Sequence, residues 1–127
     1  MATRPNFTAG DVFTAVNANI LATSIVALVT QSGTAVTAAL TDVGKLINFT
    51  SGTAVAFTIP ANATVAFSVG DQLNIYQAGT AQVTITPAAT VTVRSSGTKL
   101  KTKDQFSVAT CIKIDTNEWI ALGNLSA

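Results

Sequence analysis

The sequence predicts an all-β chain: an antiparallel β-sandwich or jelly-roll-like domain carrying an extended N-terminal arm and one short helix. Three observations lead there. From Ile25 onward apolar and polar residues alternate at period two, with dense β-branched residues. Turn-forming residues interrupt that alternation about every ten residues, the spacing of sandwiches and barrels. No stretch between the strands carries the apolar period of a crossover helix, so antiparallel connections are the default.

The chain divides into residues 1–24, arm and helix, and residues 25–127, the sandwich domain. In the opening MATRPNFTAG, Pro5 disfavours helix at Arg4 and favours an extended arm. Thr8-Ala9-Gly10-Asp11 then forms a helix-start pattern ahead of Val12, Val16 and Ile20, with Phe13 and Leu21 beside that stripe; a helix over residues 10–22 follows. Ile25 to Thr30 reads as strand, Gln31-Ser32-Gly33 as turn, Thr34 to Ala39 as strand or loop, and Lys45 to Thr50 as strand. Val55, Phe57 and Ile59 line one face of the next strand, which Pro60-Ala61-Asn62 stops; Val65, Phe67 and Val69 predict another. Leu73 with Ile75, Val83 with Ile85, and Val91 with Val93 continue the series. Phe106, Val108, Ile112 and Ile114 mark the core face of a long strand, Asp115 to Asn117 a turn, and Trp119, Ile120 and Leu122 a final strand.

The composition argues against an enzyme. The 127 residues hold no His, one Cys and 10% charged residues against about 25% in ordinary soluble domains. Without His the commonest general base and transition-metal ligand are missing, and a single Cys makes neither an internal disulfide nor a Cys-based zinc site. Cys111 falls opposite the Phe106 face and reads as a small packed thiol. Asp115 and Glu118 are the one close carboxylate pair and read as a structural turn. Glycines occur singly at turns and never as a nucleotide-binding loop. No catalytic, cofactor-binding or metal-binding residue is therefore assigned. A net charge of +1 gives no field for nucleic acid or anionic membrane. The most apolar run, Ile20 to Val29, is about half a bilayer span.

The candidate residues are instead partner-binding ones. Lys99, Lys101 and Lys103 sit at period two, so on an extended strand their ammonium groups leave one face, with Arg94 just upstream. Five of the seven basic residues fall between Arg94 and Lys113. This ridge either meets an acidic protein surface or guards a sheet edge. Trp119 and Ile120 are adjacent, so one of them faces outward; Trp119 is a candidate contact. In the arm, Arg4, Pro5 and Phe7 are candidates for docking on another protein.

Two stretches resemble a known group. NFTAGDVFTAVNANIL is similar to the F-x-x-G-D-V-L-T-A-x-x-L-N start of many tailed-phage virion proteins, with Phe13 where Leu is commoner and Ala18-Asn19 before Ile20 in place of Leu-Asn. VGKLINF, AFTIP and VAFSVGDQLNIYQAGTAQVTI, ending in NEWIALGNL, resemble the small β-rich modules of phage tail fibres and capsid decoration proteins. The resemblance covers about residues 5–125 and implies a virion structural protein that assembles as a homotrimer, its N-terminal segment docking on the major capsid protein or another virion protein. It implies a capsid decoration, or cement, protein that stabilises the outer head shell, assembled in the host cytoplasm; the alternative is a tail fibre or tail-tip structural or receptor-binding module.

Overall fold

A computed structural model describes residues 27–127. The predicted arm, the helix over 10–22 and the boundary at residue 24 lie outside the described residues.

The described chain is β-rich and forms two sheets. Strands β1 (Leu28–Gln31), β3 (Leu46–Phe49), β5 (Gln72–Gln77), β7 (Thr92–Ser95), β9 (Val108–Asp115) and β10 (Glu118–Gly123) make a six-stranded sheet in the order β1-β3-β5-β9-β10-β7. Strands β2 (Ala35–Thr37), β4 (Val55–Ile59), β6 (Val83–Pro87), β8 (Lys101–Thr102) and β11 (Leu125–Ser126) make a five-stranded sheet in the order β11-β8-β6-β4-β2.

Both sheets are mixed, which corrects the antiparallel, jelly-roll-like order expected from the sequence. The first six strands alternate strictly between sheets, so β1, β3 and β5 are parallel neighbours in one sheet while β2, β4 and β6 are parallel neighbours in the other. A parallel pair needs a long crossover, usually a helix. Here a strand of the opposite sheet serves as the crossover. The chain winds, and each turn of the winding adds one strand to each sheet: Ile47 lies opposite Ile75, and Val55 opposite Val83. The later strands close the winding with antiparallel pairs, β9 on β5, β10 on β9, β8 on β6 and β11 on β8, while β7 lies parallel to β10.

The core lies between the sheets. Ile47, Phe49, Leu73, Ile75 and Trp119 come from the six-stranded sheet, and Val55, Phe57, Ile59, Val83 and Ile85 from the five-stranded one. Phe49 and Phe57 meet edge to face across it, ring centroids 5.5 Å apart, a geometry worth about 1 kcal/mol beyond burial itself. One polar bridge also crosses the core. Buried Thr102 donates its hydroxyl to Gln77 Oε1 and accepts the Val83 amide at 2.9 Å, while Gln77 Nε2 donates to the Gly79 carbonyl at 3.2 Å. Both side chains are thus satisfied, as burial requires.

Two expectations about strands are overturned. Residues Val65 to Val69 form no strand: the Thr64 and Val65 amides both donate to the Ala61 carbonyl, curling the segment into a turn. Phe67 inserts from it fully, edge to face on Trp119 at 5.3 Å, and Val65 packs half-buried against the core. On β9 the faces are reversed. Ala109, Cys111 and Lys113 point into the core, and Phe106, Val108 and Ile114 are exposed. Summed hydrophobicity favours the other face, but register belongs to the ladder rather than to one strand. Trp119 on β10 fills the core opposite Lys113, and the small Cys111 faces the small Ala121, which leaves room for the indole.

Two glycines admit no side chain. A Cβ at Gly79 would meet the Ser51 carbonyl oxygen and lie 2.6 Å from the Thr50 carbonyl carbon; at Gly123, whose φ is +124°, it would lie 2.5 Å from the Val108 oxygen. Gly79→Ala and Gly123→Ala should each lower unfolding free energy by about 2 kcal/mol or more in urea titration. Gly33→Ala, with nothing near its Cβ, should change it by no more than about 0.5 kcal/mol.

Candidate interaction surfaces

Leu100 and Thr102 turn inward around β8, the first half-buried against the core and the second fully buried, so the alternation sends Lys99, Lys101 and Lys103 outward. The predicted lysine ridge therefore exists, with all three residues exposed. The Leu100 carbonyl accepts the Ile85 amide at 2.7 Å, and the Lys103 amide donates to the Asn124 carbonyl at 3.0 Å, which holds the ridge extended. Because β8 lies between β6 and β11, the ridge guards no sheet edge.

Arg94 does not join it. It projects from β7 in the other sheet, and its Nε donates to Glu118 Oε2 at 2.5 Å, the one ion pair among the described residues. Lys113 is buried: its Nζ donates to Asn62 Oδ1 at 2.6 Å and to the Phe67 carbonyl at 2.7 Å. The five basic residues that cluster in the sequence thus go to three places, and no single basic face unites them. Linear proximity misleads here because β7 and β8 belong to different sheets.

Trp119 is likewise not a surface residue. It is 1% exposed, and Ile120 is the neighbour turned outward. Arg4, Pro5 and Phe7 lie outside the described residues. Asp115 and Glu118 face each other at the β9–β10 turn, where Asp115 Oδ1 accepts the Thr116 amide at 2.7 Å and Glu118 holds Arg94. Both carboxylates are engaged structurally.

Burial pushes the Cys111 thiol up to about 12, which removes the thiolate a nucleophile requires. Two open depressions flank Gly123 and Leu125. One of about 440 Å³ is bordered by Lys103, Asp104 and Phe106, the other of about 290 Å³ by Ser95, Lys99 and Leu122. Neither encloses a cluster of acid–base groups, and among the described residues no group of three or more His, Cys, Asp or Glu could hold a metal. No described helix is long and apolar enough to cross a membrane.

Sequence reasoning missed an exposed aliphatic cluster on the outward face of the six-stranded sheet. Val108, Ile114 and Leu122 are 44, 42 and 50% exposed there with Ile112 and Ile120 half-buried beside them, while Leu28, 61% exposed, lies on the far edge strand beyond the polar Asn48, Gln72 and Asn74. A signal was present. Trp119-Ile120-Ala121-Leu122 is an unbroken apolar run, and an apolar run on a strand loads both faces. The opposite sheet's outward face differs: it carries Ala35, Thr37, Ala56, Thr58, Thr84, Thr86 and Lys101.

Lys113→Met should cost about 3 kcal/mol in chemical denaturation, because it leaves the Asn62 and Phe67 oxygens without their donor. Cys111 should resist a disulfide reagent at pH 8 in native protein and react stoichiometrically once unfolded. Since the folded thiol ionises near 12 and the unfolded one near 9.0, its contribution to stability is complete below pH 9 and falls as pH rises through that window. Comparison with protein-family models, curated proteins and solved structures finds no match to the chain.

Proposed function

We propose that this chain is a structural protein of a tailed-phage virion: a capsid decoration protein that binds the outer head shell as a homotrimer and stabilises it. The two sheets facing one another across a single core are, on this proposal, a β-sandwich used as a rigid building block. The observation that carries the proposal is the exposed aliphatic cluster of Val108, Ile114 and Leu122 on β9 and β10, with Ile112 and Ile120 beside them. Exposed apolar surface of this kind marks interaction sites, and at its edge Leu122 borders an open depression shared with Lys99 rather than a catalytic cleft. The low charge and the resemblance of both sequence stretches to phage structural modules support the same role.

Its mode of action on this proposal is repetition. A trimer seated where capsomers meet adds apolar burial worth roughly 25 cal/mol per Å² at each contact, and many equivalent copies make weak contacts sufficient. Neither cofactor, nucleic acid nor membrane takes part, and the chain is no enzyme. The lysine ridge supplies the contact to an acidic partner such as the major capsid protein.

Sedimentation equilibrium should give three times the 13.0 kDa chain mass. Copy number on purified particles decides location: hundreds per particle accord with a head-shell protein, whereas a handful would replace it with a tail fibre or tail-tip module. Exchanging Lys99, Lys101 and Lys103 for Ser should leave the fold intact and remove most of the salt dependence of particle binding; unchanged salt dependence would exclude the ridge from the interface.

A further inference from the structure

We propose that the open depression beside Phe106 binds a neutral pyranose unit of a glycan. Of the phenylalanines among the described residues, Phe49, Phe57 and Phe67 are buried in the core, whereas Phe106 is 64% exposed. Its φ is +74°, the left-handed region that a bulky side chain normally avoids. Glycine would relieve that strain, and a polar side chain would suit the exposure. A ring held out in water at a strained position serves neither core nor turn, and backbone strain of this kind collects at binding sites.

The loop that carries the ring is tied down at each residue. The Phe106 amide donates to the Gln77 carbonyl at 2.7 Å, and the Ser107 amide to the Asp104 carbonyl at 3.1 Å. The Asp104 amide donates to Ser107 Oγ at 2.9 Å, and Gln105 Nε2 to the Ala78 carbonyl at 2.9 Å. Asn124, which lines the same depression, is clamped from two sides: its amide donates to the Val108 carbonyl at 3.0 Å, and its carbonyl accepts the Lys103 amide at 3.0 Å. The backbone of the site is therefore set before a ligand arrives, which lowers the ordering cost of binding.

The side chains around it are uncommitted. Lys103, Asp104 and Asn124 are exposed and border one hollow of about 440 Å³ with Phe106, and among the described residues none of the three side chains is engaged within the fold. That volume lies in the range of small-ligand sites. Lys103 donates hydrogen bonds, Asp104 accepts them and Asn124 does both. The two charges cancel, so an anion attracted by Lys103 is repelled by Asp104. A neutral pyranose matches the whole set: the C–H groups on one face of the sugar stack on an aromatic ring, while its hydroxyls donate and accept around the edge. A protein partner has the aliphatic cluster on β9 and β10 instead.

The test is a titration of the isotope-labelled full chain followed by amide chemical shifts, with N-acetylglucosamine and methyl galactoside as probes and glycerol as the control for hydroxyls without a ring. At least one sugar should shift the Phe106, Ser107 and Asn124 amides saturably in the millimolar range, and glycerol should not. Phe106→Gly should weaken the response by about tenfold or more, with a urea midpoint at or above that of the parent chain because the strain leaves with the ring. Asp104→Ala should weaken it several-fold, whereas Leu40→Ser, which removes another exposed apolar side chain, should leave it unchanged. Silence with both sugars, or shifts that survive Phe106→Gly, would overturn the proposal. A fall in the urea midpoint would make the ring structural, and dissociation of an oligomer by Phe106→Gly would assign it to a protein contact; either overturns the sugar site. None of these readouts depends on the virion assignment, so each proposal can fail without the other.

Discussion

Each parallel pair among β1 to β6 exists only because the chain leaves one sheet, lays a strand in the other and comes back. That crossing sets what the turns must do. Three connections stack at the place where the chain passes from the six-stranded to the five-stranded sheet: Ser32-Gly33-Thr34-Ala35, Ser51-Gly52-Thr53-Ala54 and Ala78-Gly79-Thr80-Ala81. Their backbones bond to each other, the Thr50 amide to Gln31, the Ala78 and Gly79 amides to Phe49, and the Ala81 amide to Ser51. Stacking this close is what bars a side chain at Gly79. The Phe49–Phe57 contact sits just inside the same corner, so turn, ladder and core are fixed together.

Closure of the winding depends on a second group of residues. The β9–β10 hairpin brings Trp119 inward, Phe67 reaches it from the loop after β4, and Lys113 ties that loop down through two oxygens. The Asn62 amide adds a bond to Asn117 Oδ1 at 2.8 Å from the hairpin turn. A buried ammonium is costly unless its protons are bonded, and here the bonding fastens a segment that has no strand partner of its own. Thr102 and Gln77 play a comparable part between the sheets, one hydroxyl on β8 serving an acceptor on β5 and a donor on β6.

The β content, most strand positions and the inward residues Val55, Phe57, Ile59, Ile75, Val83 and Ile85 were legible in the sequence, because alternation reports local burial directly. Strand direction was not. Period two is the same in parallel and antiparallel ladders, and the cue that separates them here is the threefold recurrence of Gly-Thr-Ala at the crossings, a repeat rather than a periodicity. The face of β9 was illegible for a different reason: Val108, Ile112 and Ile114 are more apolar than Ala109, Cys111 and Lys113, yet Trp119 on the neighbouring strand decides which set turns inward. Among the candidate contacts, Lys99, Lys101 and Lys103 followed from strand geometry alone. Arg94 and Trp119 required the tertiary partners Glu118 and Phe67 to be placed.

Because every turn of the winding contributes to both sheets at once, the domain can lengthen or shorten only in whole turns. A single residue inserted within β3 or β4 would invert one wall of the core, while an added copy of the segment from β3 through β4 would slip between existing turns and leave the closing hairpin untouched. The scaffold therefore has a natural unit of growth, with an outer surface that extends by one strand width on each side at every step.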